Sequence, residues 1–459
     1  MKPENLIQKI KMKVLLFFSL FLIESQLIKA QSNWVKRAGG ATTDLANSLW
    51  TDNYRNIFVT GSISGKAKFH KTEVTSRGGG DVYVTKYSPE GIPIWVKTFG
   101  GVLDDFANSI TGDPEGNLYV TGIFTNSAQF GDFTLEAKGT DLFVAKLNSK
   151  GQVVWVSQLN TAGTALVQSI SVTDQGGVYV GGLFSGQYSE TVKRKMGQTD
   201  GFITKLSWQG EVSWTKVFGG SGFDEVNILS TDPWGRVVAG GVFDQVMYVE
   251  DQEIVGNSSK SAFAVRLEAT GNILWAKGFS GFDAQTQIMD AATDLDGTVY
   301  LTGKFSGENF FGTNVKVSKG QSDIFLMAIK PKGDINWVSE IGGSEVDEPL
   351  SIQLTPDQKS ILVSGTFNKF LEHGRKSILG EYDNQLFLSR WDLRGNLDEL
   401  RKQDFNSLFN CAGKRLDGKG NIWICGSFSN KTSFGKQNFV SAGEEDLFIS
   451  AIADPKGAK

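Results

Sequence analysis

A tryptophan recurs along this chain at Trp34, Trp95, Trp155, Trp214, Trp275 and Trp337, at intervals of 61, 60, 59, 61 and 62 residues. The next slot, 62 residues further, holds Glu399. A period near sixty marks a repeat architecture, in which single units bury too little apolar surface alone and must stack. Three phrases recur and are clearest in the second unit: WVKTFGG at 95–101, DPEGNLYVTGIF at 113–124 and DLFVAKLNSKG at 141–151. The middle phrase returns as NIFVTGSI, GVYVGGLF, RVVAGGVF, TVYLTGKF, SILVSGTF and NIWICGSF, keeping Gly61, Gly122, Gly182, Gly241, Gly303, Gly365 and Gly426 in register.

These phrases predict strands, because Val, Ile, Tyr, Phe and Thr fill short runs bounded by turn residues and no 3.6-residue period competes. Asp113-Pro114-Glu115-Gly116 has the chemistry of a type I turn followed by a left-handed glycine, and Asp232-Pro233-Trp234-Gly235 and Asp294-Leu295-Asp296-Gly297 repeat it. A second tight turn closes each unit at Gly91, Gly151, Gly210, Gly271, Gly333, Gly395 and Gly457. Two hairpins per unit give four antiparallel strands, expected in the second unit near 106–111, 117–124, 142–148 and 152–158.

Seven such sheets can close into a ring or stand in a row. The ring is favoured because radial packing covers both apolar faces of every sheet and leaves no long edges. The ends agree. After the turn Asp454-Pro455-Lys456-Gly457 only Ala458 and Lys459 remain, whereas Asn33-Trp34-Val35-Lys36 is a fourth-strand phrase with no hairpin before it. Residues 32–38 are therefore expected to complete the seventh sheet, making 31–459 one all-β domain, a seven-bladed β-propeller of four-stranded blades.

Residues 1–30 read as an export signal. Lys9, Lys11 and Lys13 precede an apolar run from Val14 to Ile23, with Ala30 at the cleavage position before Gln31. Ten apolar residues are short for a membrane-spanning helix, so an uncleaved anchor is the weaker alternative. Losing five Lys and two Glu changes the formal charge of −4 to −7, which leaves no electrostatic footprint for nucleic acid. Only two His and two Cys are present, so no metal site and no cofactor is expected.

The W-x-K-x-x-G-G, D-x-x-G-N-x-Y-V-T-G-x-F and D-x-F-V-x-K-x-x-x-x-G phrases resemble the SBBP-type repeats of exported bacterial proteins, a family named for a seven-bladed β-propeller. The resemblance spans the chain beyond the signal. It implies an exported propeller and assigns no catalytic residue. Departures are Glu399 at the Trp slot, Asn160-Thr161 where Gly-Gly is usual, and Ser261 and Gln385 where other units carry Asp81, Asp141, Asp200, Asp323 and Asp446.

A meander places both tight hairpins on one face and the longer links, such as Thr125–Thr140, Gln187–Thr199 and Asp244–Lys260, on the other. That long-loop face and the channel mouth form the default binding site. Asp44, Asp105, Asp224 and Asp347, with Asp104, Glu225 and Glu348, gather there. An ordering role for these aspartates, accepting backbone N–H groups, stands beside ligand or cation contact and acid–base chemistry. Cys411 and Cys425 lie seven residues either side of position 418 and could face each other as a disulfide, or remain two buried thiols. His70 and His373 are expected in solvated loops, the repeated Trp in sheet packing, and Trp208 and Trp234 exposed in turns. The preferred function is an exported binding scaffold, expected to be monomeric, for a protein or glycan. A polysaccharide-acting enzyme and a purely structural surface component are the alternatives.

Overall fold

The computed structural model describes residues 34–159, 163–186, 197–258, 260–381, 383–406, 411–417, 420–434 and 437–452. The segment read above as an export signal, Asn160-Thr161, most of the link after Gln187 and the turn at Gly457 lie outside them.

The described chain is built from antiparallel strands joined in sequence order. In the first set Asp44–Thr51, Ile57–Phe69, Thr72–Tyr87 and Pro93–Gly101 pair consecutively. In the second, Phe106–Gly112, Leu118–Phe130, Phe133–Leu147 and Val153–Gln158 do the same. The pattern repeats through the sets beginning at Thr164, Glu225, Gln285 and Glu348. Cys411–Leu416, Ile422–Phe428 and Asp446–Ile452 pair in order, and the fourth place beside them is taken by Trp34–Gly40, with Trp34 opposite Ala451 and Ala38 opposite Leu447.

Every first strand carries a β-bulge at the same place: Ala46/Ser48, Ala107/Ser109, Val167/Ser169, Val226/Ile228, Ile288/Asp290, Pro349/Ser351 and Cys411/Gly413. The extra residue bends the strand and deepens its twist. It also drives a carbonyl onto the second strand, so a Cβ at Gly61 would collide with Leu45 O and one at Gly122 with Phe106 O. The repeated glycine of the middle phrase is thus the partner of the bulge.

Apolar side chains collect between sets. Each core cluster joins two consecutive sets, such as Leu118, Phe124 and Phe143 with Phe58 and Val84. Two clusters receive the N-terminal strand. Trp34 and Ala38 pack with Leu49, Ile57, Tyr83 and Trp423, whereas Val35 packs with Leu350, Leu362, Leu386 and Ile424. The first strands stand side by side, and Asp44–Thr51 neighbours both Phe106–Gly112 and Cys411–Leu416.

The conserved spacing of Trp and turn glycine has a packing cause. Trp34 lies against Gly91, Trp95 against Gly151, Trp155 against Gly210, Trp214 against Gly271, Trp275 against Gly333 and Trp337 against Gly395. The indole N–H of Trp34, Trp214 and Trp337 donates to Pro89, Ala269 and Leu393 carbonyls at 3.1, 3.1 and 2.9 Å. The ring fills space that a side chain at the turn would occupy, pegging each unit to its successor.

Candidate functional site

The aspartates that the sequence offers as surface contacts are buried: Asp44, Asp105 and Asp347 have no exposed area and Asp224 only 1%. Each ends a W-x-x-x-x-G-G-x-x-x-D segment, where the chain leaves one sheet for the next. One carboxylate oxygen accepts the N–H of the second glycine, at 2.6 Å from Gly40, 2.7 Å from Gly101, 2.7 Å from Gly220 and 2.6 Å from Gly343. In Asp44, Asp105 and Asp347 the other oxygen accepts from Ser64, Thr125 and Asn368. Burial pushes the acids up, to about 6 for Asp44 and Asp105 and about 7 for Asp224 and Asp347, against those backbone donors. The third-strand Asp81, Asp323 and Asp446 are buried close by, also raised, each with one oxygen lacking a partner. Glu348 differs: it is half-buried and pairs with Lys304 beside a cavity of about 370 Å³.

Two of the links expected as loops on that face, Thr125–Thr140 and Asp244–Lys260, are ordered hairpins. Leu118–Phe130 and Phe133–Leu147 run straight through Thr125–Thr140, and Val246–Val249 pairs with Gln252–Val255 within Asp244–Lys260. Each such arm reaches back to the preceding unit. Gly100 and Gly101 pair with Gln129 and Ala128, and Phe218–Gly220 pairs with Met247–Val249. Second glycines admit this approach, since a Cβ on Gly101 would overlap Ser127 O and one on Gly220 would overlap Val246 O. The signal was present as short alternations around a two-residue turn, AQFGDFTL and QVMYVEDQEIV. His70 occupies one of these turns, exposed, with φ 55°. His373, expected in solvent, instead lies on an arm strand, its Nδ1 2.6 Å from Glu340 O and its ring 5.0 Å from Trp391.

Where the first strands converge, a cavity of about 510 Å³ is lined by all of them, including Ser48, Thr111, Ser171, Ser230, Asp290 and Arg415. Its wall is polar. The Asp290 carboxylate accepts from Ala291 N, Ser351 Oγ and Ile352 N at 2.8, 2.8 and 2.9 Å, while burial raises its pKa. Burial likewise lowers that of Arg415. Arg415 also lines a second cavity, about 480 Å³, with Trp50, Tyr54, Asp113, Glu115 and Asp174. Among the described residues no cluster of three His, Cys, Asp or Glu side chains is arranged to hold a metal ion.

The tight-turn face presents large side chains. Tyr54 is 83% exposed, Trp208 61%, Leu295 60% and Trp234 49%. Arg236 stacks over Trp234 at 4.7 Å. The carboxylates of these turns serve the turns themselves: Asp113 accepts from Asn117 N and Tyr119 OH, and Asp232 holds Arg236 and the buried Arg266. Cys411 and Cys425 are not opposite one another. The bulge sets Cys411 against Gly426 and Cys425 against Gly413, and the Cys425 side chain is buried.

These features define an all-β protein of repeated antiparallel sheets, of the β-propeller type. Residues 94–122 match the SBBP β-propeller repeat. A protein described as an uncharacterized WD repeat-containing protein of Acanthamoeba polyphaga mimivirus is 22% identical over 509 aligned positions, covering 86% of this chain. The chain spans 36% of that relative's length. Among solved structures, a chain of the mitotic checkpoint complex aligns over 93% of this chain and 96% of its own, with 12% identity and a TM-score of 0.45. Saccharomyces cerevisiae Sqt1 aligns over 92% and 98%, with 9% identity and a TM-score of 0.42.

Proposed function

We propose that this chain is an exported seven-bladed β-propeller, its ring closed by Trp34–Gly40, that serves as a scaffold for a protein partner. Support for the ring comes from the N-terminal strand, whose two faces enter two different inter-sheet cores, and from Asp44–Thr51 lying beside both the second and the last first strands. Support for export is the basic-then-apolar segment ahead of Ala30.

The observation that carries the binding role is the exposure of Tyr54, Trp208 and Trp234 on the tight-turn face. Aromatic and Arg side chains anchor protein interfaces because they exclude much water at little entropic cost. The docking surface is therefore placed on this face. The carboxylates of Asp44, Asp105, Asp224 and Asp347 are assigned to holding adjacent blades together.

The test is affinity capture from cell envelope and medium with the wild-type chain and a Tyr54→Ala/Trp208→Ala/Trp234→Ala variant. The same partner should be retained by the wild type and lost by the variant, whose melting temperature stays near wild type. Equal capture by both chains refutes the placement.

A further inference from the structure

Three residues beyond the bulge, the first strands place seven equivalent positions in one layer around the channel; two are Trp50 and Ala292, and Thr111, Ser171, Ser230, Gln353 and Arg415 hold the other five. Four are neutral hydrogen-bonding groups and one is a cation. The preceding residue of the last first strand, Lys414, lines the same space. Among the described residues neither the Arg415 guanidinium nor the Lys414 ammonium forms a hydrogen bond or close ion pair, although the Asp290 and Asp417 carboxylates favour the Arg415 charge from farther off. Asp290 is not in contact with the guanidinium, since its oxygens accept from Ser351, Ile352 and Ala291, and its charge acts on Arg415 at a distance. Two further polar atoms on this wall, Thr293 Oγ1 and Gln358 Oε1, are buried without partners.

A guanidinium offers five donors in a planar fork matched to two oxygens of one carboxylate or phosphate group. Enclosed in a narrow, partly desolvated space, such a cation attracts an anion far more strongly than it does in bulk water. The channel volume of about 510 Å³ falls within the range of small-molecule sites. Asp113, Glu115 and Asp174 at the neighbouring cavity make the tight-turn mouth acidic, so selectivity for an anion arises inside the channel rather than at its entrance.

We propose that the central channel binds the oxyanion group of a small solute, a carboxylate or a phosphate, with Arg415 as its fork, Lys414 as a second cation and the hydroxyls of Thr111 and Ser230 as neutral donors. This site is separate from the aromatic surface outside, and its occupancy does not depend on partner docking.

The test is equilibrium dialysis of the full chain against radiolabelled inorganic phosphate and, separately, succinate. Saturable uptake of at least one probe is expected, and which one binds separates the two ligand classes. Arg415→Gln should weaken it by about tenfold or more and Lys414→Gln by about threefold, on the scale of losing a charge-assisted pair. Lys71→Ala, in an exposed arm turn, should leave it unchanged. Uptake of neither probe, or equal uptake by Arg415→Gln, overturns the proposal. If Arg415→Gln fails to fold, phenylglyoxal labelling of Arg415 in the wild type, mapped by peptide mass, decides: labelling slowed about fivefold by phosphate or succinate supports the site, and labelling unaffected by both overturns it.

Discussion

Replacing Trp34 by Ala probes the strand on which the proposed ring depends. The side chain is 8% exposed, packs edge-on against Trp423 with centroids 6.4 Å apart, covers Gly91 and donates to Pro89 O at 3.1 Å. Removing a buried Trp costs about 3–5 kcal/mol, since the transfer energy and the cavity both count against the fold. At roughly 2.1 cal/mol/K per residue, a domain of about 420 residues has an unfolding entropy near 0.9 kcal/mol/K. The expected drop in melting temperature is therefore about 3–6 °C. Lys36, exposed two residues along the same strand, provides the control, and Lys36→Ala should move the melt by less than about 1 °C. Deleting residues 31–40 removes Val35 and Ala38 as well and bares the 446–452 edge, so the loss should be larger and the protein should aggregate on heating. A synthetic peptide covering 31–42 should restore the melt of the deletion variant. A Trp34→Ala melt within a degree of wild type, or a deletion variant indifferent to the peptide, refutes circular closure through this strand.

Other consequences follow from the junctions. Gly220→Ala puts a Cβ onto Val246 O and should destabilise by about 3 kcal/mol or more, whereas Gly374→Ala, at φ +59° with open space around it, should cost about 1 kcal/mol; chemical denaturation of both variants compares them. Asp224 and Asp347 have folded pKa values raised to about 7 by burial, above the usual 3.8, so their protonation favours the folded state. Their contribution is fully present below pH 3.8 and fades as pH rises through about 7. Relative to Asp347→Asn, the wild type should therefore lose stability between pH 5 and pH 8, and a relative gain over that span would contradict the burial argument. Non-reducing peptide mapping bears on the cysteines: the register sets Cys425 opposite Gly413, and finding both thiols alkylatable without reductant would reject a Cys411–Cys425 bridge.

Much of the architecture was written in the repeat. The Trp period, the glycine of the middle phrase and the Asp-x-x-Gly turns are local chemistry, and each reappears as a peg, a bulge partner or a hairpin at the expected residues. The middle strands were placed correctly but cut short, because Leu118–Phe130 and Phe133–Leu147 continue into an arm whose two-residue turn is a weaker signal than Asp-Pro-Glu-Gly. The Asp set was visible as a motif but not as buried. Whether a carboxylate faces water depends on what the next unit brings over it, here an arm strand docked on two glycines. Register was hidden for the same kind of reason: the bulge that separates Cys411 from Cys425 spends one extra residue, and counting along the chain is blind to it.

The sequence by itself determined the number of repeats, the strand and turn chemistry within each, and the need for units to cover one another, because these depend on residues close together in the chain. The tertiary structure alone decided which carboxylates are sealed beneath arms, which aromatics remain outside, and that Arg415 stands in a shared channel with Asp290 and the hydroxyls of other units. Those outcomes are set by residues sixty or more positions apart, brought together when the first strands converge.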